Sequence, residues 1–123
     1  MEHYTYILYS KSRNIFYKGS TKDVYSRLLR HNSGREKFTS KGKPWLLIWY
    51  TLKPNKAQAY RLELKLKNLS KNRLIDFMIK YQDDIVGSDE LLLIKQLSEC
   101  WHMRQHSSPV QTANNWEALK QLF

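Results

Sequence analysis

The sequence predicts an α+β fold, and three observations carry that expectation. Three short segments rich in aromatic and β-branched residues, Tyr4 to Tyr9, Ile15 to Gly19 and Trp45 to Leu52, read as strands. From Lys56 onward the apolar residues return at intervals of three and four, as they do along one side of a helix. The character of the chain then changes after Tyr81, which divides it into a front domain, residues 1–81, and a helical C-terminal extension, residues 82–123.

A chain of 123 residues is long enough for one domain with its own core and too short for two. Its formal net charge of +10 is unevenly spread. Residues 1–81 hold 18 Lys and Arg against 5 Asp and Glu, whereas residues 82–123 hold 3 against 6. The front part therefore faces a polyanion, and with aromatics at 13% of the chain the class of partner indicated is nucleic acid, whose phosphates attract lysines and whose bases stack on rings. A solvated basic face with no partner is the plainer reading of the same charge. Cys100 is the only cysteine, which excludes an intramolecular disulfide and a cysteine-rich zinc site and suggests a reducing cytoplasm. No apolar run has the length of a membrane span, and Met1 to Tyr9 lacks the pattern of a secretion signal.

Taken in order, Tyr4 to Tyr9 and Ile15 to Gly19 form a hairpin around the polar cluster Ser10 to Asn14. Alternation puts Tyr4, Tyr6 and Leu8 on one face of the first strand and Tyr17 with Gly19 on one face of the second, so Tyr6 and Tyr17 can share a surface. Gly19, with no side chain, allows a sharp turn or the close approach of another group, and such a place suits a phosphate. Thr21 or Asp23 caps the next helix, whose apolar stripe is Val24 and Leu28, extended by Tyr25 and Leu29. Arg27 and His31, four residues apart, fall on one face and with Arg30 point toward a rim. Gly34 ends the helix, and residues 35–44 are a basic loop with Phe38 embedded in it.

The nearly continuous apolar run Trp45 to Leu52 predicts a strand covered on both faces and hence central in the sheet. Ala59, Leu62, Leu66 and Leu69 mark a helix from Lys56 to about Leu69, on which Glu63 is the only acid among Arg61, Lys65 and Lys67; its plainer reading is an ion-pair partner. Arg73 to Tyr81 resumes the helical pattern, and a further helix starts at Ser88 or Asp89 and runs through Leu92, Leu93, Leu97 and Trp101. Ser107-Ser108-Pro109 breaks it, and Asn115 to Phe123 suggests a short last helix. His102 and His106 have metal-ligand spacing but lack the glutamate of a zinc-protease helix. The apolar faces of this extension are expected to cover the main domain or a second copy of the chain, which would make a homodimer.

The runs Y-T-Y-I-L-Y-S from Tyr4, F-Y-K-G-S-T-K-D-V-Y-S-R-L-L-R-H-N from Phe16 and F-T-S-K-G-K-P-W from Phe38 match one known pattern across about 80 residues. The chain resembles the GIY-YIG nuclease superfamily, and within it the small single-domain bacterial branch, UPF0213- and URI-like. The resemblance implies a small mixed sheet, mainly three antiparallel strands, flanked by helices, and hydrolysis of DNA phosphodiesters with one divalent ion, Mg²⁺ or Mn²⁺. By position it makes Tyr6 and Tyr17 the paired tyrosines, Arg27 the arginine of the motif, His31 the residue one turn later and Glu63 the metal carboxylate. Two stretches depart from the name motifs: Tyr4-Thr5-Tyr6 stands where the first has Gly-Ile-Tyr, a replacement the small branch accepts, and Lys18 replaces the middle Ile of the second.

The chemistry fits these residue types. A phenol near a cation can take a proton from water, a role assigned to Tyr17 with Tyr6 as its orienting partner or alternative. Arg27 offers a planar fork for two phosphoryl oxygens. Glu63 is an oxygen ligand for an ion that keeps most of its water, and His31 has either a tyrosine or a phosphate to bond. Lys18, Lys22 and Arg30 near the motif, with Arg35, Lys37, Lys41 and Lys43 in the loop, are the expected contacts to the nucleic-acid backbone. Two other classes compete: a binding module that holds nucleic acid without cutting it, and an interaction protein acting through the C-terminal helices.

Overall fold

The first strand is the middle of the sheet. In the computed structural model, which describes residues 1–105, β1 (His3–Ser10) pairs antiparallel with β2 (Ile15–Thr21) on one side and with β3 (Trp45–Lys53) on the other. Four helices complete an α+β fold: α1 (Val24–Asn32) between β2 and β3, then α2 (Lys56–Lys67), α3 (Lys71–Lys80) and α4 (Ser88–Gln105) after the sheet. Every strand pairing is antiparallel.

The apolar run of residues 45–52 therefore belongs to an edge strand, contrary to its expected central place. The reason lies in a bulge. Ile7 pairs with Trp49 and Leu8 with Leu47, so Ile48 is the extra residue and the alternation reverses there. Trp45 and Leu47 pack on one face of the sheet and Ile48 with Trp49 on the other, while the free edge is covered by the segment after α3. Val86 donates its N–H to the Ile48 carbonyl at 3.1 Å, Ile85 bridges to Trp49, and the Trp49 indole donates to the Tyr81 carbonyl at 3.0 Å. An apolar edge is tolerated because it is covered.

Local chemistry sets the helix boundaries. The side chains of Asp23, Asn55 and Ser70 accept from the backbone N–H three residues on, at Ser26, Gln58 and Arg73, and start α1, α2 and α3. Of the two expected caps of α1, Asp23 is the one used. Gly34, at φ +82°, turns the chain out of α1 in the left-handed region that glycine favours.

The two faces of the sheet carry different cores. Tyr6, Leu8, Val24, Trp45 and Leu47 gather under α1, with Leu28 and Tyr17 packed beside them. Tyr25 and Leu29 do not join the stripe; they are 57% and 73% exposed, because α1 presses only its Val24–Leu28–His31 side against the sheet. On the other face Ile7, Tyr9, Ile48 and Trp49 meet Leu66 of α2, Leu74, Ile75, Met78 and Ile79 of α3 and Ile94 of α4. Thr5 donates its hydroxyl to the Ala59 carbonyl at 2.8 Å, which ties α2 down over β1.

Helix α4 thus lays Ile94, with Leu93 and Leu97 beside it, on the body of the protein. That contact uses the apolar side which a second copy of the chain would need, so a homodimer through this helix is not supported. The side chains of residues 101–105, His102 included, and everything from His106 to Phe123, with the expected last helix, lie outside what is described. Among the described residues no helix is long and apolar enough to cross a membrane.

Candidate active site

The register of the hairpin decides which side chains meet. Tyr6 pairs with Gly19 and Leu8 with Tyr17, which places both tyrosines on the α1 face. Their ring centroids are 6.2 Å apart. Gly19 is not an open seat for a phosphate: a Cβ there would stand 2.6 Å from Tyr6 Oη and 2.7 Å from Cζ. The glycine makes room for the neighbouring strand's tyrosine, and this contact fixes where the hydroxyl points.

The Tyr6 hydroxyl hydrogen-bonds to His31 Nε2 at 3.0 Å, and His31 Nδ1 to Thr39 Oγ1 at 2.9 Å. His31 is not on a rim, as its place on α1 suggested, but 2% exposed, because both ring nitrogens find partners inside. The Tyr17 ring packs beside it, tilted by 58°, at 4.7 Å between centroids. Two clamps hold this arrangement. Asn32 donates to the Trp45 carbonyl at 3.1 Å and accepts from the Trp45 N–H, and the Trp45 indole donates to the Thr39 carbonyl at 2.8 Å. Thus α1, the basic loop and β3 are stitched together around one imidazole.

Protonation follows from burial. Burial holds the His31 imidazole below its ordinary 6.5, with Arg27 and Arg30 adding to the effect and Glu36 opposing it, so the ring is neutral at pH 7. Burial also raises the Tyr6 phenol far above its ordinary value, helped by Tyr17. Tyr17, more open to solvent, is raised by burial and by Glu63, while Lys67 and Arg27 pull it down. Both phenols are protonated at neutral pH, and a neutral imidazole beside Tyr6 can accept its hydrogen bond.

Arg27 and Glu63 stand apart from this contact set. No hydrogen bond among the described residues joins either of them to a phenol, yet the charge of each acts on both. Glu63 comes from α2, on the other face of the sheet, and packs 8% exposed with Lys67 Nζ 2.7 Å from its Oε2. The plainer reading of this residue, an i,i+4 ion pair, is therefore realised. Among the described residues no three His, Cys, Asp or Glu come together as a metal site. A single carboxylate suits only a hard ion that keeps most of its water and takes other ligands from a substrate, and Oε1, which has no protein partner among the described residues, is the oxygen left for it.

The expected backbone contacts are distributed around the pocket rather than inside it. Lys22, Arg27 and Arg30 line a cleft with His3 and Lys56, and Lys18 lines a second depression with Phe16, Tyr17, Phe38 and Lys67. Burial lowers the Lys18 ammonium from its usual value, with Lys67 contributing, so this departure from the motif leaves a half-buried cation on the edge strand. Arg30 pairs with Glu36 at 2.9 Å. Arg35, Lys37, Lys41 and Lys43 are exposed along the loop. Sequence reasoning missed four residues here: His3, Thr39, Lys56 and Lys67. Thr39 was visible in the F-T run without a role, and Lys67 by its spacing from Glu63; His3 and Lys56 carry no local signal.

A family model described as the GIY-YIG catalytic domain matches residues 2–76. The chain is 33% identical over 73 residues to UPF0213 protein SH2523 of Staphylococcus haemolyticus, covering 58% of this chain and 88% of that one. It is 38% identical over 74 residues to UPF0213 protein BH0048 of Halalkalibacterium halodurans, covering 59% and 78%. The solution NMR structure of UPF0213 protein BH0048 from Bacillus halodurans aligns with a TM-score of 0.43 at 35% identity, over 63% of this chain and 83% of that one. With a match that spans both tyrosine motifs, the Arg27–His31 turn and the Glu63 helix, the chain belongs to the GIY-YIG family of nuclease domains.

Proposed function

We propose that this protein is a metal-dependent endonuclease that hydrolyses DNA phosphodiester bonds. The observation that carries the reading is the Tyr6–His31–Thr39 hydrogen-bond chain set against Tyr17, with the charges of Arg27 and Glu63 acting on both phenols. Tyr17, the more accessible phenol, takes the proton from the attacking water in its phenolate form, which Arg27 and Lys67 favour and burial opposes. Tyr6 and His31 orient it: a neutral imidazole accepting from Tyr6 fixes the phenol pair without placing a second charge in the pocket. Water oxygen then bonds to phosphorus, the bond to the leaving oxygen breaks, and that oxygen takes a proton from solvent. Arg27 holds two non-bridging oxygens as charge grows on them. A Mg²⁺ or Mn²⁺ ion held by Glu63 supplies further positive charge to the phosphate when bound.

The test is a cleavage panel of single-stranded, branched and duplex DNA with Mg²⁺ and with Mn²⁺. Arg27→Ala and Glu63→Gln are expected to abolish cutting. Because the Tyr17 phenol is raised, the wild-type rate is expected to climb from pH 7 to 9 without a plateau, a climb that Tyr17→Phe removes. No cutting of any DNA with either ion would rule the nuclease out. The Glu63–Lys67 pair favours a second reading, a module that binds nucleic acid without cutting it. In that case Glu63→Gln leaves affinity unchanged and the affinity falls with salt.

A further inference from the structure

We propose that the cleft lined by His3, Lys22, Arg27, Arg30 and Lys56 is a second phosphate seat, which takes an internal phosphate of the same nucleic-acid strand beside the one that is cut. The proposal rests on the nuclease reading for the strand's identity, but the seat is argued from its own chemistry. The cleft has a volume of about 410 Å³ and lies where the end of β2 meets the start of α1 and the start of α2, at Ser20 to Asp23 and at Lys56. Four cations line it, of which Arg30 is paired with Glu36 at 2.9 Å, against one lining carboxylate, Asp23. That carboxylate is already engaged, accepting from the Ser26 N–H at 3.1 Å as the cap of α1. Neither helix carries an acid in its first turn; the Asp23 cap offsets the positive end of α1, whereas α2 is capped by the neutral Asn55 and keeps its positive end.

His3 is the independent sign of a ligand. It is 7% exposed and lines the cleft, yet its ring makes no hydrogen bond among the described residues. Burial and the charges of Lys56 on α2, Lys22 before α1 and Arg27 on α1 hold the imidazole neutral. A largely buried ring that lines the cleft beside three cations, with no protein partner seen among the described residues, is served twice by an oxyanion, as an acceptor for a ring N–H and as a counter-charge. Arg27 links this seat to the reacting one, because it lines the cleft while its charge acts on the Tyr6 and Tyr17 phenols. A strand held at two successive phosphates cannot slide, so the seat would set the register of the cut.

The experiment follows the His3 ring by NMR in the full chain with EDTA present, so that nothing is cleaved. The probes are inorganic phosphate, a short DNA oligonucleotide without terminal phosphate, and the same strand with a 5′-phosphate. All three are expected to shift the His3 signals and to raise its pKa toward 6.5. Lys22→Ala and Lys56→Ala, both at exposed positions, are each expected to weaken the unphosphorylated strand by about threefold to tenfold and to reduce its salt slope by about one. Unmoved His3 signals, or unchanged affinity and slope in both variants, would overturn the proposal. A response to the 5′-phosphorylated strand alone would overturn the internal assignment in favour of a strand-end pocket. Binding is read without turnover, so a protein that never cuts still reports on the seat, and one that cuts with an idle cleft fails this inference alone.

Discussion

The two faces of the sheet are built on opposite principles. Under α2, α3 and α4 the buried cluster is aliphatic apart from Tyr9 and Trp49, whose polar atoms bond outward to Asn14 and to the Tyr81 carbonyl, and its other members fill space against one another. Under α1 the cluster is smaller, two of its five members are aromatic, and it is threaded by hydrogen bonds through Tyr6, His31 and Thr39. A packed aliphatic face tolerates any arrangement that fills space, whereas a polar one admits few arrangements because each unpaired group is costly. The difference teaches that the paired tyrosines and their hydrogen-bond chain lie on one side of the three-stranded sheet and the larger aliphatic core on the other, with Glu63 the one site residue contributed from the aliphatic side.

The sharpest way to break that division is to damage the aliphatic side. Met78 is fully buried on α3, far in the fold from the phenols, and Met78→Ala is expected to cost about 2–5 kcal/mol in denaturant unfolding. Any cleavage per folded molecule should stay near wild type. A specific activity that fell with stability would mean the faces are coupled. Gly19→Ala tests the reverse. Its Cβ would strike the Tyr6 phenol, an overpacking worth about 1–3 kcal/mol, and should displace the hydroxyl from His31. Cleavage is expected to fall far more than stability does, and an upfield or downfield change at His31 in NMR would locate the cause. Wild-type activity in this variant would show that the hydroxyl's position does not matter.

The same contrast explains what could be read from the chain. Alternation along β1 and β2 was enough to bring Tyr6 and Tyr17 together, because a hairpin's register follows from its turn. The apolar run of β3 misled, since a bulge at Ile48 and a covering segment from Ile85 to Val86 are long-range events that leave no local mark. His31 was legible as a site residue but not as a buried one, because burial depended on Thr39, eight residues on across a basic loop. Glu63 was visible as a lone acid, and its ion pair with Lys67 followed from spacing; its approach from the opposite face of the sheet did not.

Titration offers a finer probe of the buried polar groups. His3 and His31 both sit below 6.5 in the folded protein, so between that value and their folded pKa the unfolded chain binds protons that the folded one refuses. Their contribution is complete above pH 6.5 and is lost as the pH falls through this window, while the raised Tyr6 and Tyr17 phenols remove stability as the pH rises past 10. Unfolding free energy measured from pH 7.5 to 4.5 should drop less steeply in His31→Gln than in wild type. An identical slope would mean that His31 titrates alike in both states.

The smallest change in stability is expected at Phe38, and it bears most directly on the comparison. The ring is 82% exposed, so Phe38→Ala removes little packing and should move unfolding by no more than about 0.5 kcal/mol. The centroid lies 6.1 Å from that of Tyr17, and the two rings with Phe16, Lys18 and Lys67 border one depression of about 410 Å³. A base stacked there would be worth about 1–3 kcal/mol by alanine substitution. Fluorescence anisotropy of a labelled oligonucleotide in EDTA should therefore show weaker binding in Phe38→Ala with the melting temperature unmoved. Equal affinity would leave Phe38 a surface residue like any other, and the chemistry of this face would then end at Tyr17.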